Sequence, residues 1–265
     1  MLATGLVLAA SCGGSSTPTP AAHETGLVLL SLANGARQAE ANIGSDPVAA
    51  IVSDDGATAY VAESSPGDVY AVALPTLHVV WRQHTGGSPF GLLLHGGRLF
   101  VSLFSGSAVV EIDPVTGKQL ASHKVALEAG MLGVDASGRV IVASHLGEID
   151  YLDGTSVRAG DGYGVALSGG EVWTASYQRA ELVRAGDLHA IGLPEAVFPF
   201  WLAPCGAGTI LVAAEGARED TDEGAVFVFD PSTEKFDTLV HARDPDQALL
   251  SGTTTFVAAH GDRQV

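Results

Sequence analysis

One unit recurs six times along this chain: a turn glycine, then a short strand that ends in a small residue. This repeat limits the possible folds more than any other feature. The copies are Gly56-Ala57-Thr58-Ala59-Tyr60-Val61-Ala62, Gly97-Arg98-Leu99-Phe100-Val101-Ser102, Gly138-Arg139-Val140-Ile141-Val142-Ala143, Gly170-Glu171-Val172-Trp173-Thr174-Ala175, Gly208-Thr209-Ile210-Leu211-Val212-Ala213 and Gly252-Thr253-Thr254-Thr255-Phe256-Val257-Ala258. Their glycines lie roughly 40 residues apart, and short strands repeating at that period mark the blades of a propeller. The small closing residue has a packing reason, because bulk at that level would hold neighbouring sheets apart. Composition agrees: 33 glycines and only 16% charged residues suit closely packed sheets better than helices.

Each repeat reads as four strands. In the second, residues 90–94 form the first strand, 99–102 the second, 108–112 the third and 119–125 a polar outer one. Asp113-Pro114-Val115-Thr116-Gly117 supplies the turn before the outer strand, and Asp230-Pro231-Ser232-Thr233 repeats it. Proline stands at the entry of first strands (Pro47, Pro89, Pro199, Pro245), where it removes no ladder hydrogen bond. The ends of the chain complement each other: residues 26–32 and 36–43 read as third and outer strands, residues 248–250 and 254–259 as first and second. The expected fold is therefore all-β, a six-bladed β-propeller of four-stranded antiparallel blades over residues 24–265. It would be closed by pairing the N- and C-terminal strands, which removes two open sheet edges.

Two resemblances add to this reading. Tyr60-Val61-Ala62 followed by Gly67-Asp68-Val69-Tyr70-Ala71-Val72, and Val109-Val110-Glu111-Ile112-Asp113-Pro114-Val115-Thr116-Gly117, resemble the YVTN/NHL-type repeats of bacterial extracytoplasmic propellers. At the N-terminus, residues 2–10 are almost all apolar and run into Ala9-Ala10-Ser11-Cys12. This resembles a bacterial lipoprotein signal, with residues 1–11 as signal and Cys12 as the lipidated residue. The apolar run is too short to span a bilayer. Residues 12–23, rich in Gly, Ser, Thr and Pro, read as a flexible tether. Together the resemblances imply an extracytoplasmic protein held at a bacterial membrane by lipid alone.

The formal net charge of −17 argues against nucleic acid and anionic lipid as partners, since no basic patch is present to neutralise phosphates. No nucleophile elbow, phosphate-binding loop or Cys-x-x-Cys pair appears, and Cys205 reads as an inert thiol. The expected partner is a small molecule or a protein at the mouth of the channel, and the expected state is a monomer.

In a propeller, the loops after second strands and the entries to first strands open on one face, where ligands bind. The second residue beyond each small terminus reads Ser64, Phe104, His145, Tyr177, Glu215 and His260. First-strand entries add Val48, Phe90, Met131, Tyr163, Phe200, Trp201, Asp246 and Gln247. Phe90, Tyr163, Tyr177, Phe200, Trp201, Asp246 and Gln247 are thus the candidate ligand-binding residues. His145, Glu215 and His260 are the candidate ligands of a divalent metal, since imidazole and carboxylate suit such an ion. The pattern requires no other cofactor and names no catalytic residue. Two functions compete: a non-enzymatic binding or scaffold propeller, and a metal-dependent hydrolase resembling six-bladed gluconolactonase-type propellers. That type uses a Glu, Asn and Asp set, whereas the first-strand entries here offer neither Asn nor Glu.

Overall fold

The glycine-led repeat forms strands because its Val, Ile, Tyr and Ala side chains alternate between two faces that are both covered. In Thr58–Glu63 every side chain after Thr58 is buried. Outer strands alternate differently: His78–His84 exposes every second residue to solvent and half-buries the rest. A strand buried on both faces beside one wet on its outer face is what a stack of sheets requires.

The computed structural model describes residues 27–30, 37–44, 46–195, 197–206, 208–217, 222–251 and 254–259. Cys12, its flanking signal and tether, and His260 lie outside them. Among the described residues every helix or strand element is a β-strand. The chain divides into two compact units, residues 1–122 and 123–265.

In the first unit, β1 (Leu27–Leu30) and β2 (Arg37–Ala41) form a two-stranded antiparallel sheet. β3 (Pro47–Val52), β4 (Thr58–Glu63), β5 (Asp68–Ala73) and β6 (His78–His84) form a four-stranded meander in that order. β7 (Pro89–His95), β8 (Arg98–Leu103), β9 (Ala108–Ile112) and β10 (Gln119–Lys124) form the next, β10 running across the boundary between units. The faces of β4 show why the sheets stack. Ala59 and Val61 pack with Leu27, Leu29 and Ile43 from the N-terminal strands, whereas Tyr60 and Ala62 pack with Leu92, Leu99 and Val101.

The second unit repeats the plan. β11 (Ala129–Val134), β12 (Val140–Ser144), β13 (Glu148–Tyr151) and β14 (Ser156–Arg158) form one four-stranded sheet. β15 (Val165–Ser168), β16 (Glu171–Ser176), β17 (Glu181–Arg184) and β18 (Ala190–Gly192) form another. β19 (Phe198–Cys205), β20 (Thr209–Glu215), β21 (Glu223–Asp230) and β22 (Lys235–Arg243) form the third, and β23 (Pro245–Ser251) pairs with β24 (Thr254–Ala259). First strands of successive sheets are neighbours in the order β11, β15, β19, β23. Trp173, Leu182, Ile210, Phe227 and Phe229 fill the core between the second and third of these sheets.

All six glycine-led copies are second strands, and five four-stranded antiparallel sheets stand where five blades are expected. The sixth expected blade is represented by one two-stranded sheet from each end of the chain. Turn chemistry matches too: Asp113 accepts the backbone N–H groups of Val115 and Thr116, and Asp230 accepts that of Ser232.

Leu27, Leu29 and Ile43 are 1–4% exposed, so the N-terminal strands belong to the core of their unit. Leu29→Ala should cost about 2–5 kcal/mol of stability. Deleting residues 24–45 should lower the thermal midpoint of the whole domain, as read by circular dichroism. A trimmed protein that melts at the temperature of the full chain would show that these strands are dispensable and that the ends do not close the fold.

Candidate functional site

Five first strands share one irregularity. The register of β3, β7, β11, β19 and β23 against its second strand slips by one residue just inside its start. The slips fall between Pro47 and Ala49, Pro89 and Leu92, Ala129 and Leu132, Pro199 and Trp201, and Pro245 and Gln247. A bulge of this kind takes a residue out of the ladder and re-aims its side chain. The residues inside these slips include Val48, Phe90, Met131, Phe200 and Asp246, which are first-strand candidates from the sequence. Proline precedes four of the bulges, where the ladder is interrupted in any case.

In the second unit these positions converge with the ends of second strands. The His145 ring, one residue beyond β12, stacks on Tyr163 with centroids 4.8 Å apart and planes 9° from parallel. Tyr163 meets Phe200 at 5.4 Å. One residue beyond β16, Tyr177 packs on Phe198 at 5.3 Å, and its hydroxyl donates to Glu215 Oε2 at 2.7 Å. Glu215, at the end of β20, lies with Asp244 and Asp246 so that one carboxylate oxygen from each falls within 4.8 Å of the others. Glu215 and Asp244 are buried and Asp246 is half-buried. His145, Tyr163 and Phe200 thus form one row of rings, and Tyr177 with Phe198 forms a second that meets the carboxylates through the Tyr177 hydroxyl; the two rows are together termed the arc.

Close backbone approach holds the arc in place. A β-carbon on Gly130 would lie 2.9 Å from the Tyr163 Cα, and one on Gly164 would lie 2.8 Å from the Phe200 carbonyl oxygen. The N–H of Met131 donates to the Tyr163 carbonyl at 2.9 Å. Tyr163 is thus pinned from both sides, and glycine is what permits it.

Other candidates are placed differently. Phe90 packs on Phe104 at 5.5 Å within the first unit. Trp201 packs against Leu211, Ala213, Val226 and Ala248, so its ring serves the packing between sheets, unlike the bulged Phe200 beside it. Gln247 follows the last bulge and pairs with Ala258. Among the described residues, the group able to share an ion is Glu215, Asp244 and Asp246, without His145, whose ring lies on Tyr163. Asp244 escaped sequence reasoning because an Asp-Pro dipeptide reads equally well as a turn. Its φ of +53° turns it at the entry to β23, beside the end of β20.

No family model and no curated protein sequence matches the chain. Solved structures do. A streptogramin B lyase structure superposes with a TM-score of 0.74 at 10% identity, over 89% of this chain and 84% of that one. A putative 6-phosphogluconolactonase from Bacteroides fragilis gives 0.67 at 12%, over 95% and 86%. A protein of unknown function from Bacteroides caccae gives 0.63 at 12%, over 88% and 92%. At these identities the likeness is one of fold. With the repeated four-stranded antiparallel sheets, it defines the chain as a β-propeller.

Because Gly164 lies against the backbone of β19, Gly164→Ala should destabilise the protein by about 1–3 kcal/mol in urea unfolding. An unchanged midpoint would mean that the two first strands can separate freely and that Tyr163 is not pinned.

Proposed function

We propose that this β-propeller is a binding protein, tethered outside the cytoplasm through Cys12, whose small-molecule site is the arc of rings and carboxylates in the second unit. The observation that carries this reading is the Tyr177–Glu215 hydrogen bond of 2.7 Å at the junction of the arc. It joins the ring tier to the carboxylate tier at the ends of two second strands, beside the bulged entries of β19 and β23. Apolar surface with a few convergent polar groups is the usual make-up of a ligand site.

A second reading is metal-dependent hydrolysis of a lactone, an ester class that the name of the putative 6-phosphogluconolactonase neighbour brings to this fold. The carboxylate trio favours it, since hard divalent cations take oxygen ligands. In this version Glu215, Asp244 and Asp246 would hold the ion and the arc would seat the substrate.

A thermal-shift screen of small molecules on the whole protein should return compounds whose stabilisation is lost in both Phe200→Leu and Tyr177→Phe. A screen yielding no compound that depends on these residues would sink the binding reading. The hydrolase version makes a separate demand. Calcium, magnesium or manganese should bind the wild type and not Asp246→Asn, and the loaded protein should open lactones. Location has its own test: Cys12→Ser should move the protein from the membrane fraction to the soluble one, because the apolar run alone does not span a bilayer. Retention of that variant in the membrane fraction would refute the lipid anchor.

A further inference from the structure

Two pairs of side chains join the second and third sheets of the second unit along their outer strands, β18 and β22. From them we infer that the seam between these sheets is a proton-controlled latch, closed when His189 and His241 are charged and loosened when they are neutral. His189 Nε2 lies 2.7 Å from Glu234 Oε1, and His241 Nε2 lies 3.0 Å from Glu195 Oε2. His189 and Glu234 stand in the connections that precede β18 and β22. Glu195 follows β18, and His241 stands near the far end of β22. The bridges therefore grip the seam at both ends. They are also reciprocal, since each sheet supplies one imidazole and one carboxylate.

An imidazole changes its charge between about pH 5 and 8, whereas a glutamate carboxylate is ionised across that range. Raising the pH through it removes the positive partner from both bridges and leaves only a hydrogen bond in each. All four side chains are partly exposed, so protons reach them. Other charges around the histidines are already engaged. Arg184, whose N–H donates to the His189 carbonyl, is held by Asp187 and Glu171, and Asp187 accepts the backbone N–H of His189. Lys235 follows Glu234 in the chain. Ala225 stands opposite His241 in the ladder, and toward the strand end Glu223 stands opposite Arg243. Beside the bridges, Ile191, Leu193 and Phe236 pack against the core of Trp173, Phe227 and Phe229. Phe236 meets Phe229 at 4.7 Å, and Phe229 meets Trp173 edge-on at 5.1 Å. Trp173 is fully buried and its Nε1–H has no acceptor within the protein. This core thus holds a donor that gains a hydrogen bond when the seam admits water. In the first unit the corresponding contact is neutral: Trp81 Nε1 and the Tyr60 hydroxyl both donate to the Pro114 carbonyl, at 3.0 and 3.2 Å.

Hydrogen–deuterium exchange of the full protein, read by mass spectrometry and corrected for the intrinsic pH dependence of exchange, tests this. Raising the pH from about 5.5 to about 8 should lower the protection of residues 186–195 and 232–243 by about threefold to tenfold, the range expected of two partly exposed ion pairs. β9 in the first unit should keep its protection. The double variant His189→Gln with His241→Gln retains a side-chain donor for each glutamate and should show the high-pH protection at both pH values. Glu195→Gln with Glu234→Gln should do the same, since each bridge needs both charges. If either double variant fails to fold, the other carries the comparison. Equal protection of the wild type at both pH values would overturn the latch. So would a pH-dependent loss that persists in the histidine double variant, or one that the histidine variant abolishes and the glutamate variant leaves intact.

Discussion

Backbone approach between neighbouring first strands is the constraint on which the rest of this structure depends. Where Gly130 meets Tyr163 and Gly164 meets Phe200, no β-carbon fits. The first unit shows the same pressure between connections, where Gly67 faces Gly86 and Gly87 faces Gly106. Sheets that approach this closely exclude water from the second strands, and those strands then carry apolar side chains on both faces. Ala62, Ser102, Ala175 and Ala213 are fully buried for the same reason. A bulge at the start of the first strand is compatible with this packing, because it shifts one residue out of the ladder and leaves the rest of the strand in register. Tight stacking and a re-aimed side chain therefore coexist in a single strand.

Much of this was legible in the sequence because it is written in local chemistry. Turn glycines, Asp-Pro turns and small strand ends each act within a few residues, so repeating them reveals the sheets. Alignment of the repeats also selected the bulged positions, although nothing in the letters states that a bulge occurs there. The reason is positional: a proline at the strand entry marks the place where the ladder is interrupted, and the next residue is the one displaced. Trp201 shows the limit of that logic. It neighbours Phe200, but alternation along the strand turns it into the core between sheets. Asp244 shows another limit. Its carboxylate reaches Glu215 only because β23 lies beside β20, a juxtaposition across the sheets that no spacing in the chain encodes.

Buried carboxylates occur in both units, and their surroundings give them different meanings. In the first unit Asp68 is fully buried, and its two oxygens take Arg82 on one side and His84 on the other. Glu63 lies beneath Gly44, where a β-carbon would collide with its carboxylate, and it hydrogen-bonds Tyr70. Burial, reinforced by Glu63, pushes the Tyr70 hydroxyl up from its ordinary value, while Arg82 lies over the ring at 5.7 Å. Acid, base and ring are matched side by side across one row of the sheet, since Glu63 pairs with Asp68 and Asp68 with His84. Such a set fastens β4, β5 and β6 to one another, and removing one partner would strand a buried charge.

The second unit gathers its buried carboxylates differently. Glu215 takes a neutral hydroxyl from Tyr177 and lies among two further carboxylates drawn from the entry of the next strand. Each of the three is set by a different piece of backbone: the end of β20, the turn at Asp244 and the bulge at Asp246. Three carboxylates converging from separate elements form a cluster that no single stretch of the chain builds. A shift in any one of these elements would carry one carboxylate away from the other two, so the cluster depends on the same close stacking of first strands as the rest of the fold.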